Sequence, residues 1–239
     1  MRRRFFVPQF EDGKAVVEGE TAHHLGRVLR AQTGQLYELS DGDKVWLGRI
    51  EKVGRDGVEF ALVEELPAYQ PAADVTLLLA VVKFDAFEWA IEKATELGVS
   101  TIVPLAAARS EKALLAAAEK RAERWKKILA EASQQSRRLR LPFLGALARP
   151  EQAFSSAGDG LKLLLSERQD VPWMREVLAG QETAKAAIAI GPEGGWTDRE
   201  LELSQQSGFK QLSLGKLILR TETAVIAALA SLHYAFGGD

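Results

Sequence analysis

Two short stretches carry residues placed for chemistry. Ala189 to Glu200 reads AIGPEGGWTDRE: an apolar run, a glycine-rich turn, then a capped helix. The order suits a nucleotide-binding turn, but the residues inside it do not. A phosphate cradle needs free backbone N–H groups and positive potential. Pro192 has no N–H, and Glu193 brings negative charge. The spacing of Gly191, Gly194 and Gly195 matches neither G-x-G-x-x-G nor G-x-x-x-x-G-K-[ST]. Glycines still let backbone approach a flat neutral ring, and a carboxylate tolerates a cation. A phosphate-free cation such as S-adenosylmethionine fits this turn. A tight strand-to-helix turn with no ligand fits equally well.

The second stretch, Leu212 to Leu229, reads LSLGKLILRTETAVIAAL. Arg220, Thr221, Glu222 and Thr223 crowd the mouth of an apolar helix. Thr221 or Thr223 can cap it, and Glu222 suits the positive end of the helix dipole. Arg220 does not suit that end. An anionic partner, either a carboxylate or a substrate, explains it better.

These stretches must be held by elements that the pattern also predicts. From residue 74 onward, apolar runs alternate with amphipathic segments: VTLLLAVV, TIVPLAA, LKLLLS, AKAAIAIG and FKQLSLG as strands. Between them lie FEWAIEKATELG, a long helix from about Ala113 to Ser136, VPWMREVLAG, TDRELELSQQSG and TETAVIAALASLHYAF as helices. Asp85 with Glu88 and Thr197 with Glu200 read as capping boxes, with Gly98 and Gly208 as stops. Strands alternating with helices predict an α/β fold with a parallel sheet. Such a sheet binds its ligand at the carboxyl ends of its strands. Three of those ends are glycine-rich or polar: Ser166-Glu167, Gly191 to Gly195, and Leu214-Gly215-Lys216.

The first ~65 residues differ. QLYELSDG, KVWLGRIEKVG and GVEFALVEEL alternate with period two, and Asp41-Gly42 and Asp56-Gly57 supply hairpin turns. In TAHHLGRVLR, Thr21 can cap a short helix presenting His24, Leu25, Val28 and Leu29. Many short strands at regular spacing predict a small β-barrel. Pro67 and Pro71 mark the boundary, giving domains 1–70 and 71–239.

Composition narrows the classes. The chain has 239 residues, 46% apolar and 27% charged, enough for two ordinary domains and against disorder. It has no cysteine, which excludes disulfides, thiolate metal sites and a Cys nucleophile. The net charge of −2 gives no global pull toward nucleic acid. The start MRRRFFVPQF lacks the apolar region of a secretory signal, and Thr223 to Phe236 is short of a bilayer span. A cytoplasmic protein without membrane partner is expected. His23 and His24 are adjacent, not spaced to share a helix face, and no Asp/Glu/His cluster points to a metal.

IGPEGGWTDRELELSQQSGFKQLSLGKLILRTETAVIAAL resembles the C-terminal signature of the RsmE family, bacterial methyltransferases of the SPOUT superfamily. FEWAIEKATELGVSTIVPL and RWKKILAEASQQSRR are similar to its central blocks, RRFFVP and HHLGRVLR to its N-terminal domain. The resemblance implies an N-terminal PUA-like barrel for RNA and a C-terminal α/β domain threaded through a trefoil knot. It implies a homodimer that methylates N3 of one uridine in 16S ribosomal RNA, with S-adenosyl-L-methionine as cofactor. The cofactor would lie among Leu165, Ser166, Glu167, Gly191, Pro192, Glu193, Gly194, Gly195, Leu212, Leu214, Gly215, Leu219, Thr221 and Thr223. The chain departs from the family at Lys216-Leu217, where Pro-Arg is usual. It departs again at Phe84 and Ala86, where glycine and a basic residue are frequent and Lys83 is the cation that remains.

Uridine N3 carries a proton and is not nucleophilic until that proton leaves. The chemistry needs a positioned acceptor and a cation near the pyrimidine oxygens. Arg220 is assigned to the developing oxyanion and Glu222 to the proton, with a helix-cap role for Glu222 open beside it. A methyltransferase of ribose 2′-hydroxyls in the same class, and a silent RNA-binding assembly protein, stay open as alternatives.

RNA needs phosphate contacts. Residues 119–140 carry a basic excess, in which Arg137, Arg138 and Arg140 follow the helix and lack acids nearby in sequence. Arg3, Arg4, Arg27 and Arg30 form a second set on the barrel, with Arg2 the weakest member. Trp89 and Trp125 fall at apolar helix positions and are expected in the core. Trp196 suits either packing or stacking.

Overall fold

The computed structural model describes residues 3–54, 57–168, 170–181 and 185–236. Arg2 and Asp56 lie outside the described residues. The chain forms two compact units: Met1–Gln70 with Ser133–Leu141, and Pro71–Ala132 with Pro142–Asp239.

In the first unit, β1 (Arg4–Phe6), β2 (Lys14–Glu18), β3 (Leu36–Ser40), β4 (Val45–Val53) and β5 (Gly57–Leu66) form one sheet in the order β1-β3-β4-β5-β2. β1 runs parallel to β3, and the other neighbours are antiparallel. Alternation sets the inner face: in β2, Ala15 and Val17 are buried while Lys14, Val16 and Glu18 face out. They meet Phe5, Leu39, Ile50 and Phe60.

The short helix α1 (Gly19–His23) begins before Thr21, so Thr21 sits inside it and Glu18 is the N-cap. A π-turn, His24–Val28, follows, burying Leu25 and leaving Val28 exposed. The capped helix expected at Thr21 is therefore displaced by one turn.

Ser133–Leu141 packs against β1, β3 and the turn that follows β3 through polar links. Ser40 Oγ donates to the Leu139 carbonyl at 2.7 Å, and Arg4 Nη1 to the Arg137 carbonyl at 2.6 Å. Arg137 Nη1 lies 3.3 Å from Glu38 Oε1, and Arg140 pairs with Asp43. Ser133–Leu141 is thus a second passage of chain through this unit.

The second unit holds β6 (Asp74–Ala80), α2 (Phe84–Glu96), β7 (Thr101–Leu105), the greater part of α3 (Lys112–Gln135), β8 (Phe143–Leu144) and α4 (Pro150–Ser155). It continues through β9 (Leu161–Leu165), α5 (Met174–Leu178), β10 (Lys185–Ile190), α6 (Asp198–Gln206), β11 (Lys210–Leu212) and α7 (Thr221–Phe236). The strands form a parallel sheet in the order β11-β9-β10-β6-β7-β8.

The run VTLLLA is apolar at every position but Thr76 because both faces of β6 are covered. Val75, Leu77 and Leu79 pack with Phe87 and Ile91 of α2, Trp125 of α3 and Val225 and Leu229 of α7. Leu78 and Ala80 pack with Phe154 of α4 and Leu201 of α6.

Two expectations on α2 are corrected. The helix starts at Phe84 with Lys83 as N-cap, so Asp85 and Glu88 form no capping box. Glu88 is buried and pairs with Arg124 Nε at 2.7 Å and Arg121 Nη1 at 3.3 Å from α3. Trp89 is 44% exposed, because Phe87, Ala90, Ile91 and Ala94 take the buried stripe and position 89 falls outside it. Trp125 is in the core, packed on Phe87 with ring centroids 4.5 Å apart and the planes tilted by 40°.

Candidate active site

β9, β10 and β11 end at Leu165, Ile190 and Leu212, and the order β11-β9-β10 sets those ends side by side. The loops that leave them enclose a cleft of about 660 Å³. Leu165, Ser166 and Glu167 line it from the first loop, Gly191 to Trp196 from the second, and Ser213 to Leu219 from the third. Thr221 and Ala224 of α7 add a fourth side.

Hydrogen bonds lock these walls together. Ser166 N–H donates to the Leu212 carbonyl at 2.9 Å, which joins the first loop to the end of β11. The Trp196 indole Nε1–H donates to the Leu165 carbonyl at 3.0 Å, which joins the first loop to the second. Thr221 Oγ1 donates to the Gly191 carbonyl at 3.2 Å, which joins α7 to the second loop.

Trp196 is buried, edge-on to Phe154, and lies against the backbone of Gly191. A Cβ at Gly191 would sit 3.0 Å from the indole Cε2, so only glycine leaves room there. Trp196 is thus a brace of the turn and not a stacking platform for a base.

The turn between β10 and α6 is fixed from its far side as well. Thr197 and Glu200 form the expected capping box, with Thr197 N–H donating to Glu200 Oε2 at 2.8 Å. The second carboxylate oxygen, Oε1, accepts from Ala108 N–H at 2.8 Å. Next in chain, Arg109 Nη1 donates to the Gly194 carbonyl at 2.6 Å and lines the cleft.

In the third loop, Ser213 Oγ donates to the Gly215 carbonyl at 2.8 Å and accepts from Gly215 N–H at 3.1 Å. Ser213 N–H donates to Pro172 O at 2.9 Å, and Met174 N–H to Ser213 O at 2.8 Å. The path of this loop is set here, ahead of Lys216-Leu217. Leu217 and Ile218 are 82% and 79% exposed at its tip.

Most of the expected cofactor residues meet at this cleft. Leu212 does not line it: it is fully buried, offering its carbonyl to Ser166. Thr223 points to solvent from the first turn of α7. Arg220 is exposed and Glu222 half-buried; neither lines the cleft, although Leu219 and Thr221 on either side of Arg220 do. Arg109, Arg168, Val171, Trp173 and Ser213 line it without having been singled out. Arg109 is separated from Gly194 by 85 positions, so no local spacing pointed to it.

Arg168 pairs with Asp170 at 3.2 Å, and this hydrogen bond holds the Asp170 carboxyl below its usual range and raises the guanidinium.

The cleft fits a phosphate-free cationic cofactor. Its volume lies in the range of small-molecule sites. The glycine turn offers backbone and Pro192 no donor; the carboxylates of Glu167 and Glu193, which accept positive charge, line the cleft beside the cations Arg109, Arg168 and Lys216.

The arginines expected on RNA divide. Arg3, Arg27 and Arg30 on the first unit are exposed, as is Lys83 at the start of α2. Arg4 is not available: it is buried and bonds Glu38 Oε2 through Nε at 3.2 Å and Nη2 at 2.9 Å. Arg137 and Arg140 do have acids beside them, Glu38 and Asp43, brought from the sheet and invisible in the local sequence. Burial lowers Arg138 to about 10, which leaves it cationic at neutral pH.

An RNA methyltransferase domain matches residues 69–233, and an RNA methyltransferase PUA domain matches residues 17–63. The chain is 36% identical over 219 residues to ribosomal RNA small subunit methyltransferase E of Synechocystis sp., spanning 88% of this chain and 70% of that one. It belongs to the ribosomal RNA small subunit methyltransferase E family.

Two solved structures are similar over nearly all of their length. A methyltransferase from Legionella pneumophila in complex with bound SAM superposes with a TM-score of 0.88 at 31% identity, covering 98% of each chain. A ribosomal RNA small subunit methyltransferase E from Neisseria gonorrhoeae, bound to S-adenosyl methionine, gives 0.88 at 27% identity over 99% of this chain and 98% of that one. In this member of the ribosomal RNA small subunit methyltransferase E family, Ser213 holds the third loop through two hydrogen bonds with Gly215.

Proposed function

We propose that this chain methylates N3 of one uridine in 16S ribosomal RNA, on the small ribosomal subunit or its RNA, with S-adenosyl-L-methionine as cofactor. The observation that carries the reading is the cleft at the ends of β9, β10 and β11, whose glycine turn offers backbone, a proline without an N–H donor and the Glu193 carboxylate. Membership of the ribosomal RNA small subunit methyltransferase E family and similarity to two structures solved with that cofactor support it.

When bound, the cofactor supplies a methyl group on a sulfonium. The protein's task is to place uridine N3 in line with that methyl and to manage the N3 proton. As the N3–C bond forms, the S–C bond breaks, its electron pair stays on sulfur, and the N3 proton passes to an acceptor. Glu222, in the first turn of α7, is proposed as that acceptor. Arg220 beside it is proposed to stabilise the negative charge that grows on the pyrimidine oxygens. Both side chains must turn toward the cleft from positions next to its lining residues Leu219 and Thr221. Positioning supplies much of the remaining acceleration.

The reading assigns residues 1–70 to RNA binding as a PUA-like domain and 71–239 to the knotted SPOUT domain. It assigns a homodimer as the working form and the cytoplasm, where ribosomes mature, as its place. Exposed Arg3, Arg27, Arg30 and Lys83, with the half-buried Arg138, are proposed phosphate contacts.

The test incubates the protein and labelled S-adenosylmethionine with small subunits from a strain lacking the endogenous activity, followed by mass mapping. Label on N3 of a single uridine is expected. Label on a ribose, or none, overturns the reading.

A further inference from the structure

The loop after β7 is not one of the three cofactor loops, yet it reaches the cleft. It is held in place by Glu200, whose Oε1 takes Ala108 N–H while Oε2 closes the capping box of α6. From that anchored loop Arg109 extends to the glycine turn. Nη1 donates to the Gly194 carbonyl at 2.6 Å, and the stem covers Gly194 so closely that an added Cβ would lie 3.3 Å from Arg109 Cβ and 3.4 Å from Cδ.

A guanidinium has five N–H donors in a rigid planar fork. Among the described residues, Gly194 is the one hydrogen-bond partner of Arg109, and no carboxylate lies within ion-pair reach, although Glu193 is in the same turn. The side chain is exposed at the cleft. One corner of the fork is thus fixed and the Nε and Nη2 donors are open. An edge of that shape matches an oxyanion held by two parallel bonds.

We propose that Arg109 contacts the RNA substrate: Nη1 fixes the glycine turn through Gly194, and the open edge takes an oxyanion of the RNA. This rests on the rRNA methyltransferase reading above. The oxyanion is either a backbone phosphate flanking the target or an oxygen of the target base. Because Nη1 bonds the turn that lines the cofactor cleft, substrate docking on the open edge also stiffens that turn.

The test compares wild type, R109A and R109K. Cofactor affinity is measured by calorimetry, affinity for a 16S RNA fragment by filter binding at several salt concentrations, and kcat and KM by methyl transfer. Loss of a charge-assisted bond predicts that R109A weakens RNA binding by about tenfold or more. R109K retains a donor for Gly194 but not the planar fork. Its cofactor affinity should stay within about threefold of wild type while its RNA affinity falls. If R109A does not fold, as read by circular dichroism, R109K carries the test alone.

A phosphate partner shows as a higher KM and a salt slope reduced by about 0.7 to 0.9. A base oxygen shows as a lower kcat with the salt slope unchanged. Wild-type RNA affinity, KM and kcat in both variants overturn the proposal, as does weakening confined to the cofactor. If wild type itself transfers no methyl group to the RNA, the broader reading fails instead, and the two failures are distinct.

Discussion

The Trp196 indole bonds the Leu165 carbonyl at 3.0 Å across 31 positions of sequence, and this bond extends the pairing of β9 with β10 into the loops that leave them. Replacing Trp196 by Phe keeps most of the packing on Phe154 and removes the bond. A stability loss of about 1 kcal/mol is expected, with weaker cofactor binding. Trp196→Ala, which also opens a cavity, should cost about 3–5 kcal/mol. Urea denaturation and calorimetry of each variant check this. Unchanged cofactor affinity in Trp196→Phe would show that the brace is dispensable to the cleft.

Gly191→Ala tests the same contact from the other side. The new methyl meets the indole at 3.0 Å, so turn or ring must shift. Overpacking of this kind costs about 1–3 kcal/mol, and the displaced turn should bind cofactor at least several-fold more weakly. A crystal structure of the variant with an unmoved indole and full affinity would contradict the argument.

Glu200 satisfies three donors with two oxygens: Thr197 N–H, Thr197 Oγ1–H and Ala108 N–H. Glu200→Gln turns one acceptor into a donor facing a donor. Leaving a buried group unsatisfied costs about 1–3 kcal/mol. The midpoint of urea unfolding should fall accordingly, and methyl transfer should fall with it because the Arg109 loop loses its anchor.

Arg4 was expected on RNA and is instead an internal strut. Its side chain and that of Glu38 are 7% and 9% exposed. Removing Glu38 strands the buried Arg4 charge, which costs about 3–5 kcal/mol; removing Arg4 costs less, because Glu38 keeps Arg137 at 3.3 Å. Glu38→Ala should therefore destabilise the protein sharply, and Arg4→Ala by a smaller amount. Arg27→Ala and Arg30→Ala, which touch solvent, should leave stability within about 0.5 kcal/mol and weaken RNA binding in a salt-dependent way. Thermal melts beside filter binding separate the two classes.

The strands, the parallel sheet and the glycine turn were legible because each has a local cause. VTLLLA is apolar but for Thr76 because both faces are covered, and Thr197-x-x-Glu200 caps α6 because its oxygens match the orphan N–H groups. Contacts between distant residues had no such signature. Arg109 on Gly194, Arg137 on Glu38 and Arg140 on Asp43 each depend on which strands lie side by side. Glu88 was misread for the same reason: its spacing from Asp85 suits a cap, but two arginines of α3 claim it. The two proposed catalytic residues were found by chemistry and position, and the fold sets them beside the cleft and not in its lining.

β11 pairs with β9, although β10 and α6 intervene in the chain. The cleft's third wall and its α7 side therefore come from residues 213 to 224, long after the first wall has been made. A ribosome synthesising this chain must carry translation past Ala224 before a closed cleft can exist. Nascent chains halted between Leu141 and Ser213 would hold every residue of the first unit but not the third wall of the cleft.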